Sequence, residues 1–166
     1  MLRKCFYSFH YVPDCQRVAQ IRQIGSIEGN KPASDNNWEA VRGENKSVIE
    51  KWISDQMHGR SCTIVLVGSD TANRPWINHE IVKSWDDGMG VVGIYIHGIK
   101  NLSGETVSKG NNPFDYIYFG NSKTPLSSVV KCYNPVGNTS QQKYAWISEH
   151  LSNAVEEAIQ IRKKHP

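Results

Sequence analysis

The chain of 166 residues has no long apolar run, no close cysteine pair and little net charge, and each absence excludes a class of protein. No run approaches the roughly 18 apolar residues that span a bilayer, so we expect no membrane partner. The net charge is only +3 and the basic residues are scattered, which argues against a nucleic-acid partner. Four widely spaced cysteines without a CxxC pair predict neither a disulfide framework nor a metal site, and they favour a cytoplasmic location.

The sequence also lacks the motifs of the common nucleotide-binding and hydrolytic enzymes. Neither the P-loop pattern GxxxxGK[ST] nor the dinucleotide pattern GxGxxG occurs. A GxSxG nucleophile elbow is missing too, so Ser69 is not expected to be a nucleophile. We interpret Ser69 as a hydroxyl that hydrogen-bonds a ligand or the loop backbone.

What the sequence does contain is an alternation of short apolar runs with amphipathic stretches. The apolar runs predict strands at residues 4–9, 63–67, 91–96 and 128–133, and the stretches between them predict helices near 12–25, 44–57, 75–87 and from about 140. Two polar segments, 26–43 and 98–124, predict long loops, the first around at most one short strand. The pattern indicates one α/β domain over residues 1–166, with a mostly parallel sheet of about five strands and helices on both faces.

In such a sheet the ligand crevice lies beyond the carboxyl ends of the strands. Phe9, His10 and Tyr11 end the first predicted strand, and Ser69 follows a central one. His10 is interpreted in two ways, as a ligand contact or base and as a residue that only caps the strand. Among the aromatic residues near this edge, one or two are expected to stack on a planar ring.

Glu80 is a carboxylate that the pattern places near this crevice, just past the end of the central strand. On a wheel of about 100° per residue it lies about 40° from Trp76, beside the apolar stripe of its helix and not opposite it. This position at the rim of the core leaves two interpretations open, a solvated helix flank and a group that acts on a ligand. The neighbouring His79 is expected to face water.

Several of these segments together resemble a TIR (Toll/interleukin-1 receptor) domain. The resemblance is carried by CFYSFHY at the first strand and by TIVLVGSDTANRPWINHEIVKSW at the central strand and its helix. More narrowly, FYSFHY, the Asp35-x-x-Trp38-Glu39 element, GIYIHGIK and SKGNNPFDY are similar to the TIR-like ThsB proteins of bacterial Thoeris anti-phage defence. The resemblance extends from residue 4 to about 119.

The resemblance implies a TIR-like fold and a site with Glu80 as the catalytic residue. It implies that NAD is a substrate, cleaved at the nicotinamide–ribose bond, and that no cofactor or metal is required. Arginine is missing directly after strand one, so Arg42 and Arg74 are the alternatives for a pyrophosphate contact. From the resemblance and the crevice position together, the residues expected to bind the substrate are Phe9, His10, Tyr11, Asp35, Trp38, Ser69 and Trp76.

The same resemblance implies partners besides NAD. A cyclic or conjugated ADP-ribose product is expected to activate a separate effector protein, with a phage component as trigger and with self-association of the chain. Two alternatives stay open at this stage. One is a non-catalytic TIR adaptor that acts through self-association, and the other is a flavodoxin-like nucleotide-binding regulator without turnover.

Overall fold

The computed structural model of the chain describes residues 2–29 and 45–166. Seven strands and four α-helices are found in these ranges. The strands are β1 (Arg3–Ser8), β2 (Ile27–Gly29), β3 (Cys62–Val67), β4 (Gly90–Tyr95), β5 (Tyr118–Phe119), β6 (Thr124–Pro125) and β7 (Cys132–Tyr133). The α-helices are α1 (Tyr11–Arg22), α2 (Lys46–Met57), α3 (Pro75–Asp86) and α4 (Ser140–Lys163).

Five of the strands form one sheet in the order β2-β1-β3-β4-β7. Every neighbouring pair in it is parallel. All six residues of β3 and all six of β4 are buried, as expected for central strands covered on both sides. The predicted fold class, an α/β domain around a parallel sheet of about five strands, is confirmed.

Alternation along the strands divides the core between the two faces of the sheet. Cys5 and Tyr7 of β1 and Ile64 of β3 belong to the cluster that includes buried residues of α1 and α4. Phe6 of β1 packs instead with the apolar residues of α2. Because side chains two apart share a face, Ser8 is directed to the same side as Phe6, toward α2 and α3.

Two features at the carboxyl-terminal part of the chain differ from the prediction. The last strand was predicted over residues 128–133, but only Cys132–Tyr133 pairs with β4. Residues Leu126–Ser128 form a 3-10 turn, in which the N–H groups of Val129 and Val130 donate to the Leu126 carbonyl and are lost to the sheet. The hairpin of β5 and β6 was not predicted, since two-residue strands carry no periodic signal.

The start of α4 differs from a standard capping box in one contact. The hydroxyl of Thr139 accepts from the Gln142 N–H at 3.1 Å, as a capping box requires. The Gln142 side chain, however, accepts from the N–H of Asn138, one residue earlier than the pattern specifies.

Candidate active site

Helix α3 carries the predicted catalytic carboxylate, and local chemistry fixes where the helix starts. Pro75 occupies its first turn, where a missing N–H costs nothing. Asn73, two residues before Pro75, adopts a left-handed backbone (φ 63°), which asparagine tolerates better than most residues. From this start, the apolar residues Ile77, Ile81 and Trp85 pack in the core beside β3 and β4.

Glu80 lies deeper than its helix pattern predicted. Its side chain is fully buried (0% exposed), so the predicted place at the rim of the core was wrong. The reason lies outside α3: the hydroxyl of Ser8, at the carboxyl end of β1, donates to Glu80 Oε1 at 2.5 Å. A helical wheel counts only positions on its own helix, so it cannot register a polar partner that a strand supplies.

Two further hydroxyl groups contact the backbone of the same helix. The hydroxyl of Ser84 donates to the Glu80 carbonyl at 2.7 Å. The hydroxyl of Thr63, on β3, lies 2.6 Å from that of Ser84. Since Ser84 uses its proton on the carbonyl, Thr63 is the donor between the two hydroxyls. The Ser8 hydroxyl therefore contacts the Glu80 carboxylate itself, whereas the bridge from Thr63 through Ser84 reaches only the backbone of α3.

Trp76 lies one turn before Glu80 and packs against the cluster that contains Phe6 and residues of α2. The edge of His79 meets its indole at a centroid distance of 5.4 Å. Trp76 and His79 border a surface depression of about 350 Å³, whose lining does not include Glu80. His79 was expected to face water, but its side chain is 29% exposed, and burial lowers the pKa of its imidazole.

The structure separates the residues predicted at the end of strand one. Phe9 is 2% exposed and belongs to the core cluster on the α1 and α4 side, opposite the face that Ser8 and Glu80 share. His10 occupies the N-cap position of α1, and Tyr11 is the first residue of that helix. The Tyr11 and Phe9 rings lie 6.3 Å apart. Ser8, at the end of β1, contacts Glu80 and was not among the predicted site residues. A polar residue at the end of a buried apolar strand was the signal that could have identified it.

Ser69 is exposed directly after β3. Gly110 packs against the backbone at this end of the strand. A Cβ on Gly110 would stand 2.3 Å from the Gly68 carbonyl oxygen, so only glycine permits the approach. Arg74 pairs with Asp70 across 3.2 Å in the loop that follows. Asp35, Trp38 and Arg42 lie outside the described residues, and their predicted roles stay predictions.

Asp14 and Arg17 form a buried ion pair at the same edge of the sheet, which the sequence analysis did not find. The Arg17 Nη1 atom lies 3.4 Å from Asp14 Oδ1, and both side chains are at most 2% exposed. Arg17 also donates to the carbonyls of Ile99 and Glu105, which ties the segment after β4 to α1. Burial raises the pKa of Asp14 to about 6, against the opposing effect of Arg17.

Two further observations concern the described ranges, residues 2–29 and 45–166. No group of three His, Cys, Asp or Glu side chains in them is placed to hold a metal ion. None of the helices there is both long and apolar enough to cross a membrane.

Comparison with known proteins places the chain in a family. The family described as "Thoeris protein ThsB, TIR-like domain" matches residues 6–101, more than half of the chain. A protein of Bacillus cereus (strain MSX-D12) named "Putative cyclic ADP-D-ribose synthase ThsB1" is 34% identical over 122 residues, or 70% of this chain. The alignment covers 64% of that relative's length. The predicted resemblance is confirmed, and the chain belongs to the ThsB family of TIR-like proteins.

Proposed function

We propose that this protein cleaves NAD at the nicotinamide–ribose bond and releases a cyclic ADP-ribose type of signal in anti-phage defence. The observation that carries the proposal is the position of Glu80, a carboxylate on α3 held by the Ser8 hydroxyl at the carboxyl end of β1. Strand ends of this kind line the ligand crevice in parallel sheets. The family supports the same site, since the Trp76-to-Glu80 segment lies within the matched residues 6–101.

A lone carboxylate is sufficient for this reaction. Breaking a glycosidic bond creates positive charge at the anomeric carbon, and glycosidases commonly add a second carboxylic acid that protonates the leaving group. Nicotinamide is cationic in NAD and leaves as a neutral molecule, so it needs no proton. Glu80 then has one task, to stabilise the developing cation through its negative charge and to orient the ribose.

The product depends on which nucleophile reaches the cation. Water gives ADP-ribose, while a nucleophilic atom of the same molecule closes a ring and gives a cyclic isomer. The Bacillus cereus relative is named as a cyclic ADP-D-ribose synthase, which favours ring closure here. We propose that this product activates a separate effector protein in the cytoplasm, after a phage component has triggered the enzyme.

The burial of Glu80 adds a requirement to the proposal. Its side chain has no exposed surface, so NAD reaches the carboxylate only after a change that opens the site. We therefore expect slow turnover by the purified protein and faster turnover in infected cells. A silent assay of the purified protein alone does not distinguish this enzyme from an adaptor.

The test is mass spectrometry of nucleotides from cells that express the protein, with and without phage challenge. The parent is expected to release nicotinamide and a cyclic ADP-ribose species on challenge, whereas Glu80→Gln is expected to release neither. Glu149→Gln is a matched control, because Glu149 is exposed on α4. Equal turnover by Glu80→Gln and the parent would refute the mechanism, and defence without any turnover would favour the adaptor.

A further inference from the structure

A group of basic side chains surrounds the carboxyl end of β4, in addition to the candidate site at Glu80. The ammonium of Lys109 lies over the ring of Tyr95, 4.6 Å from its centroid. The imidazole of His97 meets the same ring edge-on at 5.9 Å. Tyr95 is 7% exposed and packed in the core, so it is a fixed support on which Lys109 and His97 come together.

Helix α4 brings a second ammonium group to this point. The aliphatic stem and ammonium of Lys143 lie against Gly98, where a Cβ would stand 2.7 Å from Lys143 Nζ. The helix start is fixed beside it, because the Lys100 N–H donates to the Ser140 hydroxyl at 2.9 Å. The amino-terminal end of a helix carries partial positive charge, which adds to that of Lys143.

This positive charge is not balanced by the described part of the chain. Neither Lys109 nor Lys143 forms an ion pair with a described residue, although seven pairs are formed elsewhere in those ranges. The Nδ1 atom of His97 is buried and has no hydrogen-bond partner there. Asp115 is an acidic group whose charge acts on Tyr95. Burial, Lys143 and Lys109 together lower the pKa of His97.

The cluster lies on the edge of the sheet that holds the candidate active site. β1 and β4 flank β3, so their carboxyl ends are two strand spacings apart, about 10 Å. Tyr95 packs with Ile77 and Ile81 of α3, on the face to which Ser8 and Glu80 belong. Lys109 precedes Gly110, which packs against the backbone at the carboxyl end of β3. This strand end lies between those of β1 and β4.

We propose that Lys109, His97 and Lys143 form a subsite for the phosphates of the dinucleotide substrate. This assignment rests on the proposed function, because it places the reacting ribose at Glu80. Two ammonium groups and an imidazole are suited to a pyrophosphate, which carries charge and acceptor oxygens on several sides. The subsite supplies the phosphate contact that the missing arginine after strand one leaves open.

The first experiment uses inorganic pyrophosphate and does not depend on turnover. The His97 imidazole is followed by NMR across a pH titration and assigned through the resonance lost in His97→Gln. Bound pyrophosphate is expected to raise the pKa of His97, because a nearby anion favours the charged ring. The double variant Lys109→Gln, Lys143→Gln is expected to bind pyrophosphate about tenfold more weakly, or about 1.4 kcal/mol.

The control is the double variant Lys51→Gln, Lys131→Gln, which changes the net charge by the same amount. Both of these lysines are exposed and paired with acidic residues. This control should bind pyrophosphate like the parent. An unchanged His97 signal in the parent, or an equal loss in both double variants, would overturn the proposal.

The second experiment asks whether the phosphates are those of the substrate. In the Glu80→Gln background, NAD is expected to raise the pKa of His97 as pyrophosphate does, because exposed Lys109 is accessible to the phosphates before the site opens around residue 80. Nicotinamide riboside, which has no phosphate, should leave the pKa of His97 unchanged. A response to pyrophosphate without a response to NAD would overturn the assignment to the substrate. Because neither experiment needs NAD cleavage, a failure of the proposed function is detected separately, by nicotinamide release.

Discussion

Removing the hydroxyl of Ser8 tests whether Glu80 depends on its contact with β1. The change Ser8→Ala deletes a donor 2.5 Å from Glu80 Oε1, in a place where both residues are 0% exposed. Hydrogen bonds to charged groups contribute about 1.5–3 kcal/mol to stability. For a loss of about 2 kcal/mol, a domain of this size should melt about 4–8 °C lower.

The same substitution is expected to slow NAD cleavage, because the carboxylate loses the group that fixes its position. Misplacing a catalytic group by about 1 Å costs on the order of a hundredfold in rate. We expect a loss of ten- to a hundredfold, about 1.4–2.7 kcal/mol in activation free energy. Thermal unfolding and nicotinamide release from challenged cells are the two measurements.

Thr63→Val is the matched control for this prediction. It also removes a buried hydroxyl, 2.6 Å from Ser84, but it leaves the Glu80 side chain and its contact with Ser8 intact. Thr63→Val should therefore lower the melting temperature and retain NAD cleavage. If Ser8→Ala melts like the parent, or cleaves NAD as well as Thr63→Val does, the role assigned to Ser8 is refuted.

Three further changes test other parts of the structure. Because burial raises the pKa of Asp14 to about 6, the folded chain binds this proton more tightly than the unfolded chain, and the free energy of unfolding should fall by about 2 kcal/mol as pH rises from 4 to 7. Urea unfolding of Asp14→Asn should lack this decline, and an equal decline in both proteins would contradict the assignment. Gly68→Ala places a Cβ 2.2 Å from Asp14 Oδ2 and should lower the free energy of unfolding by about 1–3 kcal/mol in the same assay. An unchanged free energy of unfolding would mean that Asp14 moves away without loss and would contradict this prediction. Thr139→Ala removes the cap of α4 and should cost about 1 kcal/mol; no change in thermal unfolding would show that the cap is dispensable.

The sheet was predictable from sequence because its signal is local. The uninterrupted β-branched run at β3 predicts a buried strand, and the helical spacing of the apolar residues in α3 predicts a helix with one buried face. The two central strands and the helix between them lie where these patterns place them. At β7 the signal failed, because Leu126 and Val130 are buried at a 3-10 turn and not in the sheet.

The candidate site was less predictable because its contacts join distant parts of the chain. Glu80 could be selected as a candidate from its helix, but its partner Ser8 is 72 positions away in sequence. The pair Asp14 and Arg17 is close in sequence, yet Arg17 also binds carbonyls 82 and 88 positions away. The register of β1 against β3 brings these groups to one edge, and periodicity alone does not specify that register.

The most direct test of the central claim is nicotinamide release by Glu80→Gln in phage-challenged cells. Glutamine keeps an acceptor for the Ser8 hydroxyl and removes the negative charge that the reaction needs, with an amide NH2 in place of the other carboxylate oxygen. The variant is expected to melt close to the parent and to release no nicotinamide above the level of cells without the protein. Release at the parental rate by a folded Glu80→Gln protein would contradict the claim that this carboxylate cleaves NAD.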